Sequence, residues 1–217
     1  MNIKKGLLQI LILSTTILTI GTSAAAGAET STSTSQGSIT ITPGNSETDP
    51  IEPSEPGGET GNTGPLTIDN VSPLLFDTHQ LAGGKVTYTT TTTNPNVQVT
   101  DTRGTGAGWT LQVSATPFKE KTETAKVLRG ATVTLPVGSL VTTPGNISAA
   151  PEARVVELST DSDKTAPQNL MVAKVNTGLG TWVDKFSASS VTIDIPAGNL
   201  SGDYASTLYW SLLDAPQ

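Results

Sequence analysis

The sequence predicts an all-β protein: an antiparallel β-sandwich or barrel-like domain preceded by a signal peptide and a disordered linker. Three observations carry this expectation. From Leu66 onward, short β-rich runs alternate with Gly, Pro, Asn and Asp, the cadence of strands and turns in sandwiches and barrels. Within those runs apolar residues recur at every second position, as Val191, Ile193 and Ile195 do against Thr192 and Asp194. The chain has no cysteine, so such a domain stands on its hydrophobic core, without disulfides or thiolate-bound metal.

Residues 1–28 read as a secretory leader. Lys4 and Lys5 supply a positive start, Leu7 to Ile20 an apolar run, and Ala26-Gly27-Ala28 a small-x-small cleavage site. The run is short of the roughly 20 residues that span a bilayer, so no membrane span is expected once the leader is cleaved. Residues 29–64 are mostly Ser, Thr, Gly, Pro and Glu, with Ile39, Ile41 and Ile51 as the only large apolar residues. Such a stretch buries too little to offset its ordering entropy, which predicts a disordered linker.

Residues 65–217 follow as a single domain, long enough to bury a core. Its expected strands are Leu66–Val71, Gly84–Thr93, Val97–Thr100, Trp109–Ala115, Ala131–Leu135, Arg154–Leu158, Gln168–Val175, Ser190–Ile195 and Ser206–Leu213. Val97 to Val113 reads as a hairpin, with Gly104, Gly106 and Gly108 easing the turn. Lys119 to Gly130 fits a short helix or a long hairpin excursion. The formal net charge is −7, and no basic cluster is dense enough to follow a phosphate backbone. Nucleic acid is therefore excluded as a partner, and charge-driven attachment to anionic lipid is disfavoured.

Two Trp-x-Leu tripeptides stand out: Gly108-Trp109-Thr110-Leu111 and Tyr209-Trp210-Ser211-Leu212. A strand puts residues i and i+2 on one face, so each places an indole beside an isobutyl group on one sheet surface, either core or binding platform. Leu208, Trp210 and Leu212 share a face opposite Tyr209, most simply a core strand. Trp182 lacks the following Leu and reads as a hairpin aromatic. Asp101 and Arg103, close to Trp109, fit a rim salt bridge or an acceptor and forked donor for a hydroxyl- and amide-rich ligand. The candidate ligand-binding residues are thus Trp109, Leu111, Trp210, Leu212, Asp101 and Arg103.

Catalysis is not expected. His79 is the sole histidine and no G-x-S-x-G elbow accompanies it. Asp101 and Asp194 are acids with no pairing legible in the sequence. Asp161 and Asp163 lack the Gly and distal Glu of a calcium loop, so no metal and no cofactor is expected. Asn146-Ile147-Ser148 and Asn199-Leu200-Ser201 match the glycosylation sequon, but the leader and the absence of cysteine favour a bacterial source, where the match means little. Leu135-Pro136-Val137-Gly138-Ser139 lies mid-chain, where a sorting signal has no function.

These residues carry a family resemblance. Asp101-Thr102-Arg103-Gly104 leading into Gly108-Trp109-Thr110-Leu111, the closing Tyr209-Trp210-Ser211-Leu212-Leu213 and the supporting Leu75-Phe76-Asp77 make the chain similar to WxL-domain surface proteins of low-GC Gram-positive bacteria. The resemblance implies a non-catalytic C-terminal domain attached non-covalently to the cell wall, through peptidoglycan. It also implies a complex with membrane-anchored WxL-interacting proteins and larger WxL proteins. An alternative is an interaction subunit that binds such a partner, or host extracellular matrix, in place of the wall. Either way the expected location is the cell surface.

Overall fold

A computed structural model describes residues 33–161 and 164–216. The leader, residues 29–32 and Asp163 lie outside the described residues. The chain divides into two compact units, Met1–Thr40 and Ile41–Gln217. Of the first, residues 33–40 are exposed and carry no regular element.

The second unit is all-β. Its strands in chain order are β1 (Leu66–Val71), β2 (Val86–Thr89), β3 (Asn96–Asp101), β4 (Trp109–Ala115), β5 (Lys119–Glu120), β6 (Thr132–Leu135), β7 (Ser139–Thr142), β8 (Glu152–Ala153), β9 (Val156–Ser159), β10 (Gln168–Ala173), β11 (Gly180–Lys185), β12 (Thr192–Ile195), β13 (Tyr204–Ala205) and β14 (Leu208–Leu213). Each of the nine expected runs holds a strand; β5, β7, β8, β11 and β13 were not expected. Three of these, β5, β8 and β13, are two-residue strands, too short to show alternation.

All pairings between strands are antiparallel. They build sheets of order β1-β3-β11-β7, β14-β4-β10-β8 and β2-β12-β6-β9, with a ribbon β13-β5. The inward faces of all three large sheets meet in one buried cluster. Val97, Val99 and Trp182 come from the first sheet, Trp109, Leu111, Val113 and Met171 from the second, and Val133, Leu158 and Ile193 from the third. The architecture is sandwich-like. In β10 the register shifts between Asn169 and Met171, and this bulge lets the consecutive Leu170 and Met171 both enter the core.

The expected hairpin of Val97 to Val113 is not formed. β3 pairs with β1 and β11, while β4 pairs with β10 and β14, so residues 102–108 cross from one sheet to another. The apolar faces were rightly read as inward. Alternation tells which face of a strand is buried but not which strand lies beside it.

The stretch read as a linker also differs from its expectation between residues 44 and 64, which lie against the first sheet. Val71 N donates to Gly58 O at 2.8 Å and Thr60 N to Asp69 O at 3.0 Å, a short ladder that covers the free edge of β1. Farther along, Ile51 N donates to Gln98 Oε1 (2.8 Å), Asn96 Nδ2 to Pro53 O (3.1 Å), and Lys185 Nζ pairs with Glu52 at 2.6 Å. Below this strap, Asp69 accepts hydrogen bonds from Thr67, Gln98 and Thr100. Composition missed the strap because backbone and buried polar side chains hold it, where composition counts only apolar residues.

Candidate functional site

A clasp surrounds the two tripeptides. Asp101 ends β3, and its buried carboxylate receives Arg103 Nε at 3.0 Å and Nη2 at 2.7 Å, a forked pair. Nη2 also donates to the carbonyl of Gly108 at 2.8 Å, immediately before Trp109. Nη1 forms an ion pair with Asp214, just beyond the second tripeptide. Thr110 Oγ1 adds a bond to Ala215 O at 3.0 Å. One guanidinium thus joins the end of β3, the entry to β4 and the exit from β14.

The tripeptides themselves are neighbours. β14 pairs with β4 so that Trp210 lies opposite Val113 and Leu212 opposite Leu111. Directly opposed residues share a face, so Trp109, Leu111, Trp210 and Leu212 all point inward. Trp109 and Leu111 are 0% exposed. Trp109 Nε1 donates to Gly178 O at 3.0 Å, which satisfies the one polar atom of a buried indole. Gly178 has φ of 69°, and a Cβ there would lie 2.5 Å from Ala173 Cβ and 3.0 Å from Trp109 Nε1. Gly108, with φ of 81°, is equally confined, because a Cβ would overlap the carbonyl oxygen of Ala173.

Trp210 and Leu212 are only partly buried. Trp210 and Leu208 line a cleft of about 1460 Å³. The third sheet supplies Val86, Tyr88, Val133, Ile193 and Ile195 to its lining, and Phe118 and Tyr204 come from around the β13-β5 ribbon. The loop from Pro73 to Gly84 forms another wall. Its start is held by hydrogen bonds from Thr92 to Pro73 O and from Thr90 to Leu75 O. His79, on that loop, stacks on Tyr88 with ring centroids 3.5 Å apart and planes 6° off parallel.

A family model described as WxL domain surface cell wall-binding matches residues 28–216. The chain belongs to the WxL family. Searches of curated proteins and of solved structures each return no match. The WxL match reaches well upstream of residue 65, in accord with a unit that includes the strap.

The remaining candidates in this WxL chain fall into place individually. Asp194 pairs with Lys85 at 2.7 Å and accepts from Thr87, and the Lys85 bond, then the Thr87 bond, hold its carboxyl below the usual range. Asp101 is occupied by Arg103, so neither acid is set up as half of a catalytic pair. Asn146 donates to Leu179 O and Asn199 to Arg129 O and Pro196 O, so both sequon side chains tie loops together. Leu135 is a core residue and Gly138 packs on Asp184. No helix of the described residues is long and apolar enough to cross a membrane.

Sequence reasoning missed Asp184. It lies on the core side of β11, in register with Val97 and Leu140, and is 0% exposed. Neither carboxylate oxygen makes a well-formed hydrogen bond among the described residues, and only the backbone of Gly138 lies close enough to oppose the effect of burial. Burial pushes its pKa up to about 7. The sequence signal was the acid inside the run Thr181-Trp182-Val183-Asp184, at an alternate position to Trp182.

Proposed function

We propose that this WxL protein is a non-catalytic surface protein held to the Gram-positive wall by direct, non-covalent binding of its domain to peptidoglycan. The observation that carries the reading is the match to a surface cell wall-binding family along nearly the whole described chain. Export through the leader would deliver it there. Trp109, Leu111, Asp101 and Arg103 are enclosed, so in this reading they act by holding the fold, and the ligand meets a surface they support. Trp210, half-buried at the cleft, is the motif residue nearest such a surface.

The test is co-sedimentation of the purified chain with sacculi stripped of protein and teichoic acid, at low and high salt. Salt-resistant pelleting is expected, because the surface carries no basic cluster to make the contact electrostatic. Failure of a folded sample to pellet overturns direct attachment.

One observation favours a second reading. β14 is the edge of its sheet and carries Tyr209 outward at 45% exposure, a geometry that accepts an added strand from a partner protein. A membrane-anchored WxL-interacting protein, a larger WxL protein or a host matrix protein would fit here. Stoichiometric complex formation with a soluble partner ectodomain, together with failure to pellet with bare sacculi, would establish it.

A further inference from the structure

We propose that the cleft beside Trp210 is a carbohydrate site that takes a stretch of uncharged glycan strand. The proposal rests on the wall-binding reading above and supplies the place and the ligand chemistry that reading lacks.

The first argument is the distribution of rings. The sequence has three Trp, three Tyr, three Phe and one His. Phe76, His79, Tyr88, Phe118, Tyr204 and Trp210, more than half of all these rings, line this one cleft. Phe76, Tyr88, Phe118, Tyr204 and Trp210 pack against the buried cluster on one side and are only partly buried, whereas Trp109, Trp182 and Phe186 sit within it. Flat rings at a concave surface provide large contact area at low conformational cost, and the C–H faces of pyranose rings pack against them. His79 covers one face of Tyr88 and, being exposed, offers its own outer ring face at the rim.

Charge decides between wall components. Only Asp77, Lys121 and Asp203 bring formal charge to the lining, and Lys121 and Asp203 pair with each other at 2.9 Å. An anionic polymer finds no uncommitted cation among these, and the whole chain is acidic at −7. An uncharged polyhydroxylated strand bears no such penalty. Exposed Thr78, Gln80 and Ser201 on the lining offer hydroxyl and amide groups to its hydroxyl and acetamido substituents. The volume also exceeds the roughly 300–1,000 Å³ of sites for single small ligands, which suits several linked sugars.

Gly84 gives a clean way to fill the cleft. It is an exposed residue of the lining, lacks a positive φ, and a Cβ there meets nothing within 4 Å. The experiment compares the parent chain with Gly84→Trp and His79→Ala, each checked for a native near-ultraviolet spectrum. Pelleting is measured with sacculi that retain their anionic polymers and with sacculi stripped of them. A tetramer of N-acetylglucosamine serves as the soluble probe, read by the fluorescence of Trp210 and by its absence in Trp210→Phe. At least tenfold weaker pelleting by both cleft variants, equal binding to both sacculi, and a tetramer response confined to chains with Trp210 support the proposal. Parent-like pelleting by both variants overturns the cleft while the wall reading stands. Binding that needs the anionic polymers, or no response to the tetramer, overturns the uncharged-glycan assignment. No pelleting by the parent overturns the wall reading and this inference with it.

Discussion

Trp109 and Trp210 open the same tripeptide pattern, lie on adjacent strands and face the same side of one sheet, yet Trp109 is wholly enclosed and Trp210 looks partly into a cleft. The difference comes from place in the sheet. In the order β14-β4-β10-β8, β4 is flanked on both sides, whereas β14 is an edge. A residue on a central strand is walled in by neighbours left and right as well as by the facing layer, while an edge residue keeps one flank open. Identical local chemistry therefore yields a core anchor in one copy and a surface ring in the other.

The sharpest way to break this comparison is to truncate both indoles. Trp109→Ala is expected to destabilise the domain by about 3–5 kcal/mol, measured by urea unfolding, because it empties a fully packed site and orphans the carbonyl of Gly178. Trp210→Ala is expected to cost about 1–2 kcal/mol, since part of its ring is never removed from water. Equal losses at the two positions would show that edge and centre do not differ as described.

Asp184 provides a core probe of comparable size, independent of either tripeptide. Its folded-state pKa of about 7 lies above the ordinary value of 3.8, so between those values the folded chain holds a proton that the unfolded chain has lost. The contribution of Asp184 to stability should thus be fully present below about pH 4, fall as pH rises, and level off above about 7, a loss on the order of 4 kcal/mol. Asp184→Asn should flatten that slope in urea titrations at several pH values. A slope unchanged in the variant would assign it to other groups.

The clasp yields the next effect. Arg103→Ala leaves the buried Asp101 carboxylate without its forked partner and releases the segment after β14, which should cost about 3 kcal/mol. Thermal melts check this, and hydrogen exchange should report the largest loss of protection in β14. A loss confined to β3 would mean that Asp214 contributes nothing to the clasp. The smallest expected effect is that of Trp210→Phe, about 1 kcal/mol or less, because an aromatic ring still fills the edge position.

Much of this fold was legible before the structure, for specific reasons. Val191, Ile193 and Ile195 alternate cleanly; Ile193 and Ile195 lie on β12, Val191 immediately precedes it, and all three face the core or cleft. β7 escaped notice because Ser139-Leu140-Val141-Thr142 has no clear alternation, and its burial is graded in the same way. The strap escaped because its order depends on acceptors such as Gln98 and Asp69, whose availability emerges only when β1 and β3 pair. The cleft was not legible at all: Phe76, Phe118, Tyr204 and Trp210 are scattered along the chain and meet only through the layering of sheets.

What the sequence determined by itself is local: which runs are strands, which face of each is apolar, and that Asp101, Arg103 and the two tripeptides belong to one family pattern. These follow from a side-chain period of two and from residues close together in the chain. Only the tertiary structure decided that β3 and β4 part company, that Arg103 reaches Asp214, that Trp109 is sealed and Trp210 left at an opening. Those are contacts between distant segments, set by which strands pair and how the sheets close on one core, and a period of two carries no information about either.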